Sequence, residues 1–326
     1  MPGSYTSPYY TRSAVLFLIF NRPDTTQTVF EQIKKAKPKR LYIAADGPRA
    51  GCPGDIELCS NARNIVNLVD WDCELKTNFS AENAGCRDGV SAAITWFFEH
   101  EVEGIILEDD CLPANSFFRF CDTLLEKYRH DDRIRHITGC NLQQGQKWGS
   151  GTYYFSNMTH VWGWAGWKRV WKDYDKQLVR FDKEEMTARL RDIFDDPLVV
   201  QSYSTIFEEV KAGKINAWGY QLDFVNFFNR GLTIIPNENL ISNIGFRPDA
   251  THTTDANSIY AGIPVAEIDE IVDPEMMQPE KQAESVILEQ IFKARHLKKS
   301  DHKWLIKIKR RAGQFLKAAA AVLLFG

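Results

Sequence analysis

Between Glu103 and Pro113 the chain reads Glu-Gly-Ile-Ile-Leu-Glu-Asp-Asp-Cys-Leu-Pro, three apolar residues running straight into three carboxylates. Ile105, Ile106 and Leu107 predict a short buried strand, and Pro113 denies any continuing ladder a donor. The charge is thereby delivered to the edge of a sheet. Side chains alternate along a strand, which sets Glu108 and Asp110 on one face and Asp109 on the other. Three adjacent carboxylates repel, and a chain that keeps them together at the end of an apolar run offsets the cost with a cation or a basic ligand. Hard oxygen donors of this kind suit magnesium or manganese. The competing interpretation of this stretch alone is a solvated acidic turn.

Two earlier runs have the same form. Residues 14–20, Ala-Val-Leu-Phe-Leu-Ile-Phe, are continuous β-branched and aromatic sequence, as in strands buried on both faces of a parallel sheet. Asn21, Arg22, Pro23 and Asp24 end the run, and Asp24 or Thr25 can cap a helix through about Lys35. A second strand at 41–45 ends on Asp46, Gly47, Pro48 and Arg49. In open α/β sheets that carboxyl-end edge is where ligands bind. Residues 50–61 read as a loop, 62–69 as a helix and 73–78 as a strand. The polar turn 82–89 then precedes a helix at 90–99 that leads into the acidic strand. Arg87, at the start of that helix, is poorly placed for the helix dipole but well placed to meet an anion held there. A plain surface arginine fits the local sequence equally.

Further on, a helix at 116–128 spaces its phenylalanines and leucines for core packing, and a strand at 135–138 leads to a loop, 139–151, with the length of a mobile lid. Trp164, Trp167 and Trp171 fall at i, i+3 and i+7, one face of a predicted helix that packs into the core. Trp162 and Trp164 flank Gly163 and could instead form a sugar-stacking platform. Residues 183–212 predict charged amphipathic helices. The helix predicted at 216–228 carries Asp223 among aromatics, where a lone carboxylate is costly unless paired or used. A strand follows at 231–236, then a loop at 239–253 dense in donors and acceptors. There is no internal repeat, no C-x-x-C, no G-x-x-x-x-G-K and no G-x-G-x-x-G.

The 326 residues are 44% hydrophobic and 12% aromatic, enough for a full core in one large domain or two. A net charge of −3 argues against a nucleic-acid binder but is unevenly spread. From Ile291 to the end there are ten Lys/Arg and one acid, a surplus of nine, which leaves −12 on the rest. Residues 303–326 alternate apolar and basic positions, the pattern of a basic amphipathic helix that suits a membrane surface or a partner. The seven cysteines are odd in number and unpaired in pattern, which favours reduced thiols and a cytoplasmic location over a disulfide such as Cys52 to Cys59. No apolar run is long enough for a signal or a membrane span, so any membrane contact would be peripheral, on the inner face. Residues 1–12 read as a frayed terminus.

Taken in order, the first strand with Asn21-Arg22-Pro23, the second with Asp46-Gly47-Pro48, Asn83 to Arg87, the acidic strand ending Glu108-Asp109-Asp110, the tryptophan block from Gly163, Trp218-Gly219-Tyr220-Gln221, and the stretch from Asn243 to Thr253 resemble bacterial nucleotide-diphospho-sugar glycosyltransferases of the GT-A fold, related to the N-acetylglucosaminyltransferase I family. The resemblance spans roughly residues 13–255 and implies an α/β fold, a Rossmann-like mixed sheet flanked by helices. A nucleotide-binding half would cover about 13–115 and an acceptor half about 116–255, with 256–326 a C-terminal extension ending in the basic helix. It implies manganese or magnesium and a UDP-sugar donor, with a hexosyl or N-acetylhexosaminyl group passed to a glycan, lipid-linked or protein acceptor.

By the same resemblance Asp110 would be the direct metal ligand, with Glu108 and Asp109 holding the ribose, the sugar or a metal-bound water. Asp46 with Gly47 would meet the uridine, helped by the turn at Asn21 and Arg22, while Arg87 would pair with the diphosphate or donor sugar. His252 would complete the metal or phosphate site. Asp223 is the candidate base, with Asp173 and Asp175 as rivals, and a side-chain base opposite the leaving group implies inversion. The chain departs from the pattern at Gly219, where relatives place an acid after the tryptophan. Two other functions fit parts of the sequence: a sugar-phosphate nucleotidyltransferase, and a non-catalytic nucleotide-sugar or glycan-binding module.

Overall fold

The first six residues of the first apolar run are buried, and they form the strand about which the sheet is built. Strand β1 (Ala14–Ile19) pairs in parallel with β2 (Arg40–Ala45) on one side and with β4 (Glu103–Glu108) on the other. The computed structural model describes residues 9–247 and 258–290. Two compact units divide it, Met1–Lys281 and Gln282–Gly326, and of the second only the helical stretch 282–290 is described. His252 and the basic tail from 291 therefore lie outside the described residues.

In the first unit the sheet has eight strands in the order β3-β2-β1-β4-β8-β6-β9-β7. Besides those named they are β3 (Glu74–Phe79), β6 (Ile134–Thr138), β7 (Tyr153–Ser156), β8 (Trp164–Trp167) and β9 (Leu232–Pro236). The half from β3 to β4 is parallel, and β8 joins β4 antiparallel. A separate antiparallel ribbon pairs β5 (Cys111–Pro113) with β10 (Ile241–Asn243). This is the helix-flanked mixed α/β sheet that the sequence predicts.

Alternation along β1 assigns each residue to a layer. Val15, Phe17 and Ile19 pack against Val29, Phe30 and Ile33 of α1 (Pro23–Ala36), in one cluster with Phe117, Phe118 and Leu124 of α4 (Asn115–Lys127). Ala14, Leu16 and Leu18 share the opposite cluster with Ile94 and Phe97 of α3 (Gly85–His100) and Leu222 of α8 (Gly219–Phe228). Each such side chain contributes about 1.5–3 kcal/mol by leaving water. Sheet and helices together fix the carboxyl ends of β1, β2 and β4 as one rigid edge.

Several expectations need correction. Residues 50–61 are not loop: Pro53 opens α2 (Pro53–Arg63), since a proline at the first helical position has no bond to lose. Helix α3 starts at Gly85, inside the predicted turn. The tryptophan block is strand β8 followed by a single turn, α5 (Lys168–Trp171), not one long helix. Short buried aromatic runs fit either period, and here pairing with β4 and β6 decides it. The predicted amphipathic helices are α6 (Lys183–Ile193) and α7 (Pro197–Lys211). Loop 139–151 is tied down, with Asn141 Nδ2 donating to the Pro236 carbonyl and Trp148 N donating to Asn237 Oδ1.

The segment 258–281 belongs to the first unit. Its Glu267 carboxylate accepts from the backbone N–H groups of Asn115 and Ser116, capping α4, and Ile268 joins the core. All seven cysteines are free, and among the described residues no helix is long and apolar enough to cross a membrane.

Residues 9–12, assigned to a frayed terminus, are instead anchored. The buried Asp122 carboxylate on α4 accepts from Tyr9 Oη at 2.7 Å, Thr11 Oγ1 at 3.0 Å, Arg12 N at 2.7 Å and Ser13 N at 3.0 Å. Asp122→Ala leaves those donors unmatched at the entrance to β1. Urea unfolding should show it destabilised by about 2–4 kcal/mol, with Asp122→Asn less affected.

Candidate active site

A cavity of about 750 Å³ opens along the carboxyl ends of β1, β2 and β4. Arg22, Asp46, Glu108, Asp109 and Asp110 line one side; Trp162, Trp218 and Asp223 line the other. Strand β4 itself ends at Glu108 and the chain turns at Asp109 and Asp110 before β5, so Pro113 is the last residue of that second short strand.

The three acids differ sharply in their partners. Asp110 Oδ2 lies 2.7 Å from Arg22 Nη1, and Asp109 Oδ1 lies 3.6 Å from the same nitrogen. Phe20 N donates to Asp109 Oδ2 at 3.1 Å. No hydrogen bond reaches the Glu108 carboxylate from the described residues. Burial, and then the neighbouring Asp110 and Asp109 charges, push the Glu108 carboxyl well above its ordinary range. Asp109 is raised by burial and by Asp110, with Arg22 opposing. Gly245 is packed against Asp110: a Cβ there would stand 2.7 Å from both Cβ and Cγ of the aspartate.

Asp46 lines the cavity, but its carboxylate is engaged. Oδ1 accepts from Gly47 N and Ala84 N, both at 2.8 Å, and Oδ2 accepts from Gly85 N at 2.9 Å and Asn83 Nδ2 at 3.0 Å. It fastens the end of β2 to the start of α3, satisfying N–H groups that the helix leaves open. Gly47 is required by close approach, since a Cβ would lie 2.6 Å from the Glu82 backbone N and O.

Asn21 and Arg87 sit outside the cavity lining. Asn21 Nδ2 donates to Asp55 Oδ1 at 2.9 Å, and Asp55 also takes a two-pronged contact from Arg49, Nε at 2.6 Å and Nη2 at 2.9 Å. The Arg49 guanidinium, with Asn21, holds the Asp55 carboxyl down at about 2. Arg87 Nε donates to Asp88 at 3.0 Å. An aspartate beside it in the first turn of α3 takes up the charge that the sequence offered to an anion.

Asp223 does reach the cavity, from α8. Thr159 Oγ1 donates to its Oδ1, and burial pushes its carboxyl up to about 7 against that hydrogen bond. The rivals lie off this cavity's lining: Asp173 pairs with Arg135 at 2.7 Å, and Asp175 accepts from the backbone N–H groups of Gln177 and Arg180. Trp162 keeps a half-buried place on the cavity wall, whereas Trp164 is buried and stacked on His136 and Trp218. Only the first of the two flanking tryptophans can meet a ligand.

Among the described residues no three His, Cys, Asp or Glu side chains converge as a metal cluster. A divalent cation at this edge would therefore take one or two carboxylates from the protein and the rest from phosphate and water, as magnesium commonly does. An unpartnered Glu108 beside Asp110 offers such hard oxygen donors, so the donor set fits. Sequence reasoning missed Thr159 and Asp55, which carry no local motif, and passed over Gly245, whose role lies in its contact with Asp110.

No family model and no curated protein matches the chain. Among solved structures the chain is similar to HddC from Yersinia pseudotuberculosis, at 10% identity over 50% of this chain and 80% of that one, with a TM-score of 0.30. It is also similar to a UDP-glucose pyrophosphorylase complexed with UDP-glucose, at 12% identity over 69% of this chain and 90% of that one, with a TM-score of 0.35.

The raised Asp223 carboxyl makes a prediction about stability. Its pKa rises from 3.8 to about 7 on folding, so the folded state keeps a proton that the unfolded chain has already lost. Stability from this group is greatest below about pH 4 and is lost as pH rises toward 7. Asp223→Asn keeps the Thr159 contact without the charge. Urea titrations should find the variant's advantage over wild type growing by of order 2 kcal/mol from pH 5 to pH 8 and level above that.

Proposed function

We propose that the chain is a metal-dependent glycosyltransferase that moves a hexosyl or N-acetylhexosaminyl group from a nucleotide-diphospho-sugar, foremost a UDP-sugar, to an acceptor hydroxyl with inversion. One observation carries this: a single cavity holds an acidic strand end with its arginine on one wall and a half-buried carboxylate with a raised pKa on the other.

In this reading Asp110, aided by Glu108, holds the cation, which when bound supplies positive charge to the leaving diphosphate. The β1–α1 junction and the turn fastened by Asp46 form the nucleoside side of the cavity. Asp223, braced by Thr159, takes the proton of the acceptor hydroxyl as that oxygen bonds to the sugar's anomeric carbon. The bond from that carbon to the phosphate oxygen breaks, and the nucleoside diphosphate leaves. A base on the wall opposite the leaving group corresponds to inversion. Trp162 offers the acceptor or the sugar an apolar face.

A sugar-phosphate nucleotidyltransferase is the second reading. Only Phe20, Asn21 and Arg22 separate β1 from α1, a shorter junction than the glycine-rich, basic loop that this reading would call for around a triphosphate. The basic amphipathic sequence of 303–326 suits a peripheral position at a membrane surface and a lipid-linked acceptor. Flotation with anionic liposomes should carry the full chain upward and leave behind a chain ending at Lys299.

A UDP-sugar with Mn2+ should raise the melting temperature, and neither alone should do as much; Asp110→Ala should lose the effect. Asp223→Asn should retain that shift yet transfer at least a hundredfold more slowly. Pyrophosphate release from UTP and a sugar 1-phosphate, without sugar transfer, would favour the nucleotidyltransferase. Absence of any nucleotide-dependent shift would refute both.

A further inference from the structure

Arg22 stands where positive charge is needed at the end of β4. Its Nη1 is 2.7 Å from Asp110 Oδ2, and the two side chains are 14% and 13% exposed, too enclosed for an ordinary surface pair. The main chain behind it is fixed. The Arg22 carbonyl accepts from Thr26 N at 3.0 Å and from Thr26 Oγ1 at 2.7 Å, and Pro23 opens α1 at once. Arg22 can leave Asp110 only by moving its side chain. Asp110 is equally confined, by Gly245 packed on its carboxylate and by Ile244 N donating to its carbonyl at 2.9 Å.

A guanidinium and a divalent cation would therefore compete for the Asp110 carboxylate. Drawing the Arg22 guanidinium off Asp110 breaks an enclosed ion pair, which is costly unless another anion takes up the contact. A diphosphate can, because its oxygens match the guanidinium fork.

We propose that Arg22 is a built-in counter-cation that keeps free divalent cations off Asp110 and yields only when a nucleoside diphosphate is present to take the guanidinium. Cation and nucleotide then bind with positive coupling, each raising the other's affinity by the same factor. This rests on the cation site of the proposed function.

The test is Mn2+ binding, followed by the electron paramagnetic resonance signal of free Mn2+, in wild type, Arg22→Gln and Arg22→Lys, with and without UDP. Wild type should bind Mn2+ alone weakly and at least tenfold more tightly with saturating UDP. Arg22→Gln should bind Mn2+ alone about tenfold more tightly than wild type, with the coupling to UDP reduced severalfold. Arg22→Lys, which keeps a charge on a looser stem, should fall between and decides the matter if the glutamine variant does not fold. Equal or weaker Mn2+ affinity in the variants, with UDP and Mn2+ still bound together, overturns the counter-cation and leaves the transferase reading standing. Failure of all three proteins to bind Mn2+ with UDP overturns both.

Discussion

Negative charge gathered at the end of a buried strand must be balanced locally, and Arg22 brings positive charge to both aspartates there. Leu107 is fully buried and the next three residues are acids. Strand β4 lies between β1 and β8, so the acids emerge at the middle of the sheet, where burial raises the cost of each charge. The balancing groups come from the neighbouring strand: Phe20 N meets Asp109, and Arg22 meets both aspartates. The end of β1 and the start of α1 thus meet the charge that β4 delivers.

The other acids of the unit show what a purely structural carboxylate looks like. Asp122 gathers the N-terminal donors, Asp46 fills both its oxygens at the start of α3, and Asp55 is clasped by Arg49 and Asn21. Each accepts hydrogen bonds at both of its oxygens. Glu108 has none among the described residues, and Asp223 has Thr159. A carboxyl held up by burial with so few donors is available to a ligand's proton or cation, and both such groups line one cavity. Partner count, more than the identity of the acid, separates the two kinds.

That distinction was invisible in sequence, whereas much of the fold was not. Strands β1, β2 and β4 were legible because a run buried on both faces needs no partner sequence to be recognised. Helix α2 was missed because Pro53 and Gly54 at its start look like loop, and β8 because Trp164 and Trp167 satisfy a helical period as well as a strand. Asp223 was legible as a charge among aromatics. Asp46 was legible as an acid at a strand end, but its four donors come partly from residues 83–85, whose folding over it no local pattern announces. Arg87 was legible as a basic residue near a helix start, but its contact with Asp88 was not, because 82–89 looks like a turn.

Helix α8 lends the cavity its carboxylate from Asp223 rather than from its first residue. Gly219 opens the helix, and a Cβ there would lie 3.4 Å from Val161, so a longer side chain at that point meets an apolar wall. Asp223 stands one turn along the same helix, and residues four apart share a face. Val161, Trp162 and Trp218 remain around it, and their low polarity both raises its pKa and strengthens every charge interaction across the cavity. The apolar wall that makes Asp223 expensive to ionise also makes the positive charge on the opposite wall effective, so the two sides of the site depend on the same exclusion of water.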